Sequence, residues 1–106
     1  MIIYNITFHI DQEILAEALS FLKKDYLPKA SAGGFLLNPC LRRVHTPSGE
    51  NEGESYCVQF HVKNRETLNY WLENEGNSIH KVLVGRFGHK MAGFTTLLDE
   101  IDWEND

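Results

Sequence analysis

Cysteine is scarce in this chain. Only Cys40 and Cys57 occur, and neither belongs to a CxxC pair or to a Cys/His spacing of the kind that binds structural zinc. Both thiols are therefore read as reduced side chains buried on strands. No apolar run approaches the roughly 20 residues that cross a bilayer, and the opening MIIYNITFHIDQE lacks the basic start and small-residue cleavage site of a signal peptide. The expectation is a cytoplasmic protein with no membrane partner. Basic residues are also in the minority, with 10 Lys+Arg against 15 Asp+Glu and a formal charge of -5. That balance repels phosphate backbones, and no basic stripe offsets it, so no nucleic-acid partner is expected. A GxSxG elbow is missing as well, and neither cysteine has an activating base identifiable in sequence, which leaves nucleophilic hydrolysis without support.

What remains is enough for one domain, taken as residues 1–106: the chain is 42% apolar and of a size that buries roughly 60 to 70% of its extended-chain surface. No repeat, low-complexity tract or linker divides it. Ile2, Tyr4, Ile6, Phe8 and Ile10 are apolar at period two, with Asn5, Thr7 and His9 between them, which predicts a half-buried strand. Asp11 is placed to cap a helix carrying Ile14, Leu15, Ala18, Leu19, Leu22 and Tyr26, which Pro28 ends or kinks. Gly33 and Gly34 allow a turn into a second strand from Phe35 to about His45. Its change of parity between Leu41 and Val44 predicts a bulge near Arg42 and Arg43, and Pro39 predicts an edge position.

The segment Thr46 to Gly53 reads as a polar hairpin loop. Beyond it Tyr56, Val58, Phe60 and Val62 alternate with Cys57, Gln59 and His61 in a third strand. Asn64 caps a second helix with Leu68, Trp71 and Leu72 on its apolar side, interrupted at Gly76 and Asn77 and restarting toward Phe87, with Gly88 as its C-terminal cap. Met91 to Ile101 supplies a last strand in which the face of Gly93 is open. The order β-α-β-β-α-β, closed by right-handed crossovers, predicts an α+β split β-α-β sandwich: a four-stranded antiparallel sheet with both helices on one face and strands one and three at the centre. Large apolar residues then face the helices. Asn5, Thr7, His9, Cys57, Gln59 and His61 are left on the open face.

Such a face, also carrying Ile3, is neither fully polar nor suited to bare solvent, and a second copy related by a two-fold axis is the economical cover. The expected partner is the chain itself, as a homodimer through the sheet face. Asn5, Thr7, His9, Gln59 and His61 become the candidate ligand-binding residues for a small molecule held there, since an imidazole exchanges protons near neutral pH and the others hydrogen-bond. No metal or cofactor is expected, and no catalytic residue is assigned.

The segments MIIYNITFHID, GRFGHKMAGFTTLL and DEI resemble, over nearly the whole chain, an uncharacterised bacterial domain-of-unknown-function family (DUF4286-like). More broadly the chain resembles the ferredoxin-like dimeric α/β barrel superfamily, whose members associate through their sheets. That resemblance implies the same fold and a range of activities: cofactor-independent oxygenases, haem-degrading enzymes, isomerases, and stress-response or regulatory modules. A matching haem pocket does not map onto this sequence.

Other users of the fold are disfavoured by their own motifs. The third strand, GESYCVQF, lacks the basic residue and stacking rings of an RNA-recognition domain. HIDQE after the first strand is neither a copper chaperone's CxxC loop nor an acylphosphatase's glycine-rich anion loop. GRFGHK, Gly85 to Lys90, follows a helix and reads as a cap turning into strand four; Arg42, Arg43 and His45 read as a solvated edge, and the acidic C-terminal residues as a solvated end. The function expected is a homodimeric small-molecule-binding or regulatory module using the sheet face. A small dimeric enzyme such as a cofactor-independent oxygenase or isomerase, and a structural interaction domain, are the alternatives.

Overall fold

A computed structural model describes residues 1–45 and 53–104 of the chain. β1 (Ile2–Ile10) buries Tyr4, Ile6, Phe8 and Ile10, the residues whose period-two spacing commits them to one side of a strand. The Asp11 carboxylate accepts a hydrogen bond from the Glu13 N–H at 2.8 Å and opens a 3₁₀ turn, Gln12–Ile14. That turn feeds α1 (Leu15–Phe21), a π-helical turn (Leu22–Tyr26) and α2 (Leu27–Ser31), joined with helical backbone throughout. The sequence reading ends or kinks this rod at Pro28, but the structure carries it on to Ser31. Proline has no N–H to give and its ring crowds the carbonyl of the preceding turn; a widened π turn ending two residues earlier absorbs both problems.

The second half repeats this architecture, although no sequence repeat marks it. After β2 (Leu37–Arg43) and β3 (Glu54–Val62), Asn64 caps α3 (Arg65–Trp71) by accepting from the Thr67 N–H at 2.8 Å. A π turn (Leu72–Gly76) and α4 (Asn77–Phe87) follow without a break, so Gly76 and Asn77 do not interrupt the rod. Gly76 has a different purpose. A Cβ there would lie 2.5 Å from Cζ3 of the Trp71 ring and 3.1 Å from Leu72 Cδ2, so the bare backbone makes room for the indole. Gly76→Ala is expected to lower stability by about 1 to 3 kcal/mol despite alanine's better helix propensity, read as a fall in urea midpoint at unchanged slope. An unchanged midpoint would mean that Trp71 has room to move.

Gly88, at φ +58°, caps α4 through its N–H to the Val84 carbonyl and leads through a 3₁₀ turn (Gly88–Lys90) into β4 (Met91–Asp99). β4 stops two residues short of the expected Ile101. The sheet runs β2-β3-β1-β4, all antiparallel, with β1 and β3 at the centre and Pro39 on an edge strand, as the sequence reading has it. The β2 irregularity, however, falls between Leu37 and Cys40, whereas Arg42 and Arg43 stay in register with Cys57 and Tyr56. Asn38 takes φ +50°, a backbone conformation asparagine tolerates better than most residues, and Pro39 has no N–H for the ladder. The hairpin loop expected over Thr46 to Gly53 lies outside the described residues except for Gly53. Both helical rods cover one face of the sheet, and Tyr4, Tyr26, Phe60, Trp71 and Val58 are the centre of the core between. Among the described residues no helix is long and apolar enough to cross a membrane.

Candidate functional site

The open face is a grid of four rows fixed by strand register. Across β4, β1, β3 and β2 they run Ala92, His9, Ser55; Phe94, Thr7, Cys57, Arg42; Thr96, Asn5, Gln59, Cys40; and Leu98, Ile3, His61, Leu37. All five candidate residues therefore lie on the face where their parity puts them. The two middle rows bring Asn5, Thr7 and Gln59 together. Asn5 Nδ2 donates to Thr7 Oγ1 at 3.1 Å, Thr7 Oγ1 lies 3.5 Å from Cys57 Sγ, and Arg42 donates to Gln59 Oε1 at 2.8 Å and also reaches Cys40 Sγ. Asn5 is 7% exposed, and its Oδ1 has no protein partner among the described residues.

The histidines are not brought together. His9 stands opposite Ser55 and His61 opposite Ile3, six residues apart along the ladder, which separates them by roughly 20 Å. Each has its own neighbour: Ser55 Oγ is 3.1 Å from His9 Nδ1, and Asn38 Nδ2 is 3.1 Å from His61 Nδ1. Among the described residues no cluster of three or more His, Cys, Asp or Glu is arranged to hold a metal ion. Both cysteines are free and half-buried, less covered than the sequence reading has them, because the face they occupy carries no helix. In GRFGHK, Lys90 is engaged by Glu13 at 2.8 Å and the Arg86 guanidinium lies over the Phe21 and Phe87 rings, so these two cations are not a free anion grip. β4 gives the face its least expected feature. Phe94 and Leu98, four residues apart and so on the same side, are 64% and 43% exposed.

A second polar cluster lies on the opposite side of the sheet, within the core. Tyr26 closes the first π turn, and its hydroxyl lies 2.9 Å from His80 Nε2, the two rings almost parallel at 9°. Trp71 meets His80 edge-on at 6.2 Å and Tyr4 at 6.1 Å, and its buried Nε1 has no protein acceptor among the described residues. Burial pushes the Tyr26 hydroxyl far up and Tyr4 up to about 12, the nearby Thr95 hydroxyl partly offsetting the latter, so both phenols stay protonated. Burial lowers the His80 pKa, because the interior disfavours the imidazolium. The sequence reading passes over this pair. One signal was present, since His80 falls on the stripe with Leu83 and Phe87, spaced three and seven residues on, both of which are buried.

The lowered His80 pKa has a defined consequence for stability. As pH falls through the ordinary histidine range the unfolded chain takes up a proton that the folded chain resists, so this contribution is complete above the unfolded pKa and is lost toward the lower folded one. Urea midpoints should drop more between pH 7 and pH 5 in the wild type than in His80→Gln. Equal drops in the two would remove the claim.

Between α4 and β4 a cavity of about 170 Å³ opens beside this cluster. β1 contributes Ile6 and Phe8, α4 contributes Leu83 and Val84, and β4 contributes Met91 and Gly93; His80 and Thr95 are its polar side chains.

Comparison with known proteins places these features in context. Residues 1–101 match the model of a family described as "Domain of unknown function (DUF4286)". No curated protein matches the chain. Among solved structures, one described as an antibiotic biosynthesis monooxygenase is similar at TM-score 0.69 and 15% identity, over 96% of this chain and 100% of that one. SnoaB, a cofactor-independent oxygenase from Streptomyces nogalater, is similar at TM-score 0.63 and 8% identity, over 99% and 98%. A dimeric ferredoxin-like protein from an uncultured marine organism is similar at TM-score 0.59 and 14% identity, over 94% and 97%. At such identities the likeness is one of fold, and the fold is ferredoxin-like.

Proposed function

The chain belongs to the family described as Domain of unknown function (DUF4286), and from that premise we propose that it is a homodimeric binding module that pairs through its open sheet face and holds a small molecule at or near that face. The observation that carries the reading is the exposure of Phe94 and Leu98 beside half-buried Ile3, on a sheet whose other side is already covered by helices. An antiparallel sheet can leave one face to water when that face is polar. This one mixes four large apolar side chains, Leu37 being the fourth, with amides, hydroxyls and thiols. A two-fold axis lets such a surface satisfy itself, and one structural neighbour is described as dimeric.

Asn5, Thr7 and Gln59 form the polar middle rows of the face, and His9 and His61 flank them at its two ends. In a sheet-to-sheet dimer the partner's copies of these groups are added across the gap, giving a chamber with hydrogen-bonding walls and apolar edges. Binding is favoured over turnover there, because the two histidines, roughly 20 Å apart within one protomer, cannot act together as acid and base.

Native mass spectrometry of gently purified protein tests both halves of the reading. A species of two chains carrying a reproducible added mass supports it, and a bare two-chain species supports the pairing alone. A single 12.2 kDa chain at micromolar concentration overturns it.

A further inference from the structure

We infer that the cavity between α4 and β4 is a separate binding site, for a small neutral single-ring molecule bearing one hydroxyl, with apolar side chains holding the ring and His80 taking the hydroxyl. Size, lining and geometry each contribute to this assignment. A cavity of about 150 Å³ lined by apolar side chains accepts benzene, and the volume here is about 170 Å³. That admits one six-membered ring with a small substituent. The lining is apolar except for His80 and Thr95, and no formally charged side chain takes part, so nothing in it pairs with an ionised ligand.

The space is kept open by a residue choice. Gly93 lies on the helix-facing side of β4, and a Cβ there would come within 2.9 Å of two Phe8 ring carbons and 3.5 Å of Ile6 Cγ2. Any larger residue would therefore push into the cavity those side chains line. His80 lines the cavity and has one ring nitrogen to spare. Its Nε2 is committed to the Tyr26 hydroxyl at 2.9 Å, which leaves Nδ1 with no protein partner among the described residues. The stacked Tyr26 and edge-on Trp71 fix the ring plane, and Tyr26 is held by the π turn it closes. A neutral imidazole so held donates or accepts one hydrogen bond according to its tautomer, and a hydroxyl answers either. The cavity lies on the helix side of the sheet, so loss of the dimer reading would leave it standing.

The experiment is a ¹⁹F NMR titration of the full chain with 4-fluorophenol, fluorobenzene serving as the ligand without a hydroxyl, alongside ¹⁵N shifts of the histidine rings. Saturable binding of 4-fluorophenol is expected, tighter than fluorobenzene by about fivefold for one neutral hydrogen bond, with the His80 ring nitrogens shifting while those of His9 and His61 stay still. Gly93→Val should abolish binding of both probes, and His80→Phe should abolish only the preference for the hydroxyl. The ring shifts are read on the unmodified protein, so the result stands even if a variant fails to fold. Equal affinity for the two probes, no saturable binding of either, or a stationary His80 signal overturns the assignment.

Discussion

Phe94→Asp is expected to yield a folded protein that sediments as one 12.2 kDa chain at about 10 μM, where the proposed pairing has the unmodified chain sediment as two. Phe94 is 64% exposed in the isolated chain, so its loss leaves no cavity in the core, and the cost to the fold is confined to aspartate's poor strand propensity, about 1 kcal/mol or less. Its effect on pairing is far larger. A two-fold interface contains every residue twice, so the substitution deletes two aromatic anchors and buries two carboxylates, and a weakening of at least a hundredfold is expected. Val82→Asp is the matched control. It replaces another exposed apolar residue, 56% accessible, but on α4 at the helix side of the molecule, and should leave the two-chain species intact. Persistence of the pair in Phe94→Asp, or its loss in Val82→Asp, would move the interface away from the open sheet face.

Why the open face could be read in the sequence and the cavity could not is visible in individual residues. β3 alternates without a fault and β1 does so apart from Ile3 and the buried Asn5, and one buried parity is enough to place Asn5, Thr7, His9, Cys57, Gln59 and His61 on the other side. Asp11, Asn64 and Gly88 announce their turns because capping is local chemistry. β4 is harder. Its two parities, Met91, Gly93, Thr95, Leu97 and Ala92, Phe94, Thr96, Leu98, each hold a glycine or alanine, a threonine and large apolar members, so only pairing with β1 shows that Phe94 is the residue left bare. The π turns leave no signature in apolar spacing, since one extra residue per turn shifts the stripe by less than its own width. The parity change between Leu41 and Val44 does not mark the bulge, since the register with β3 is unbroken from Leu41 to Arg43; the irregularity lies between Leu37 and Cys40, where Asn38 and Pro39 sit, and it puts Leu37 and Leu41, equal in sequence parity, on opposite faces. Tyr26 and His80 are 54 residues apart and meet only because both rods lie on the same face of the sheet.

The same cluster sets the largest expected loss of stability, at Trp71. Its side chain is fully buried, packed on Tyr4, on His80 and into the space Gly76 leaves empty, so Trp71→Ala should cost about 3 to 5 kcal/mol, a large part of what a domain of this size has to spare. Trp71→Phe should cost much less, about 1 to 2 kcal/mol, because it keeps an aromatic ring in the site and removes an indole N–H that no protein group among the described residues accepts. The pair of variants also tests what depresses His80. If burial by the neighbouring ring is the cause, Trp71→Ala opens His80 to water, raises its folded pKa toward the unfolded value and flattens the fall in stability between pH 7 and pH 5, whereas Trp71→Phe keeps that fall. Urea titrations of the three proteins at the two pH values give both quantities. A Trp71→Ala cost below about 1.5 kcal/mol would mean that the indole is not the centre of the core. An undiminished pH effect in that variant would shift the burial of His80 onto Tyr26 and Leu83 instead.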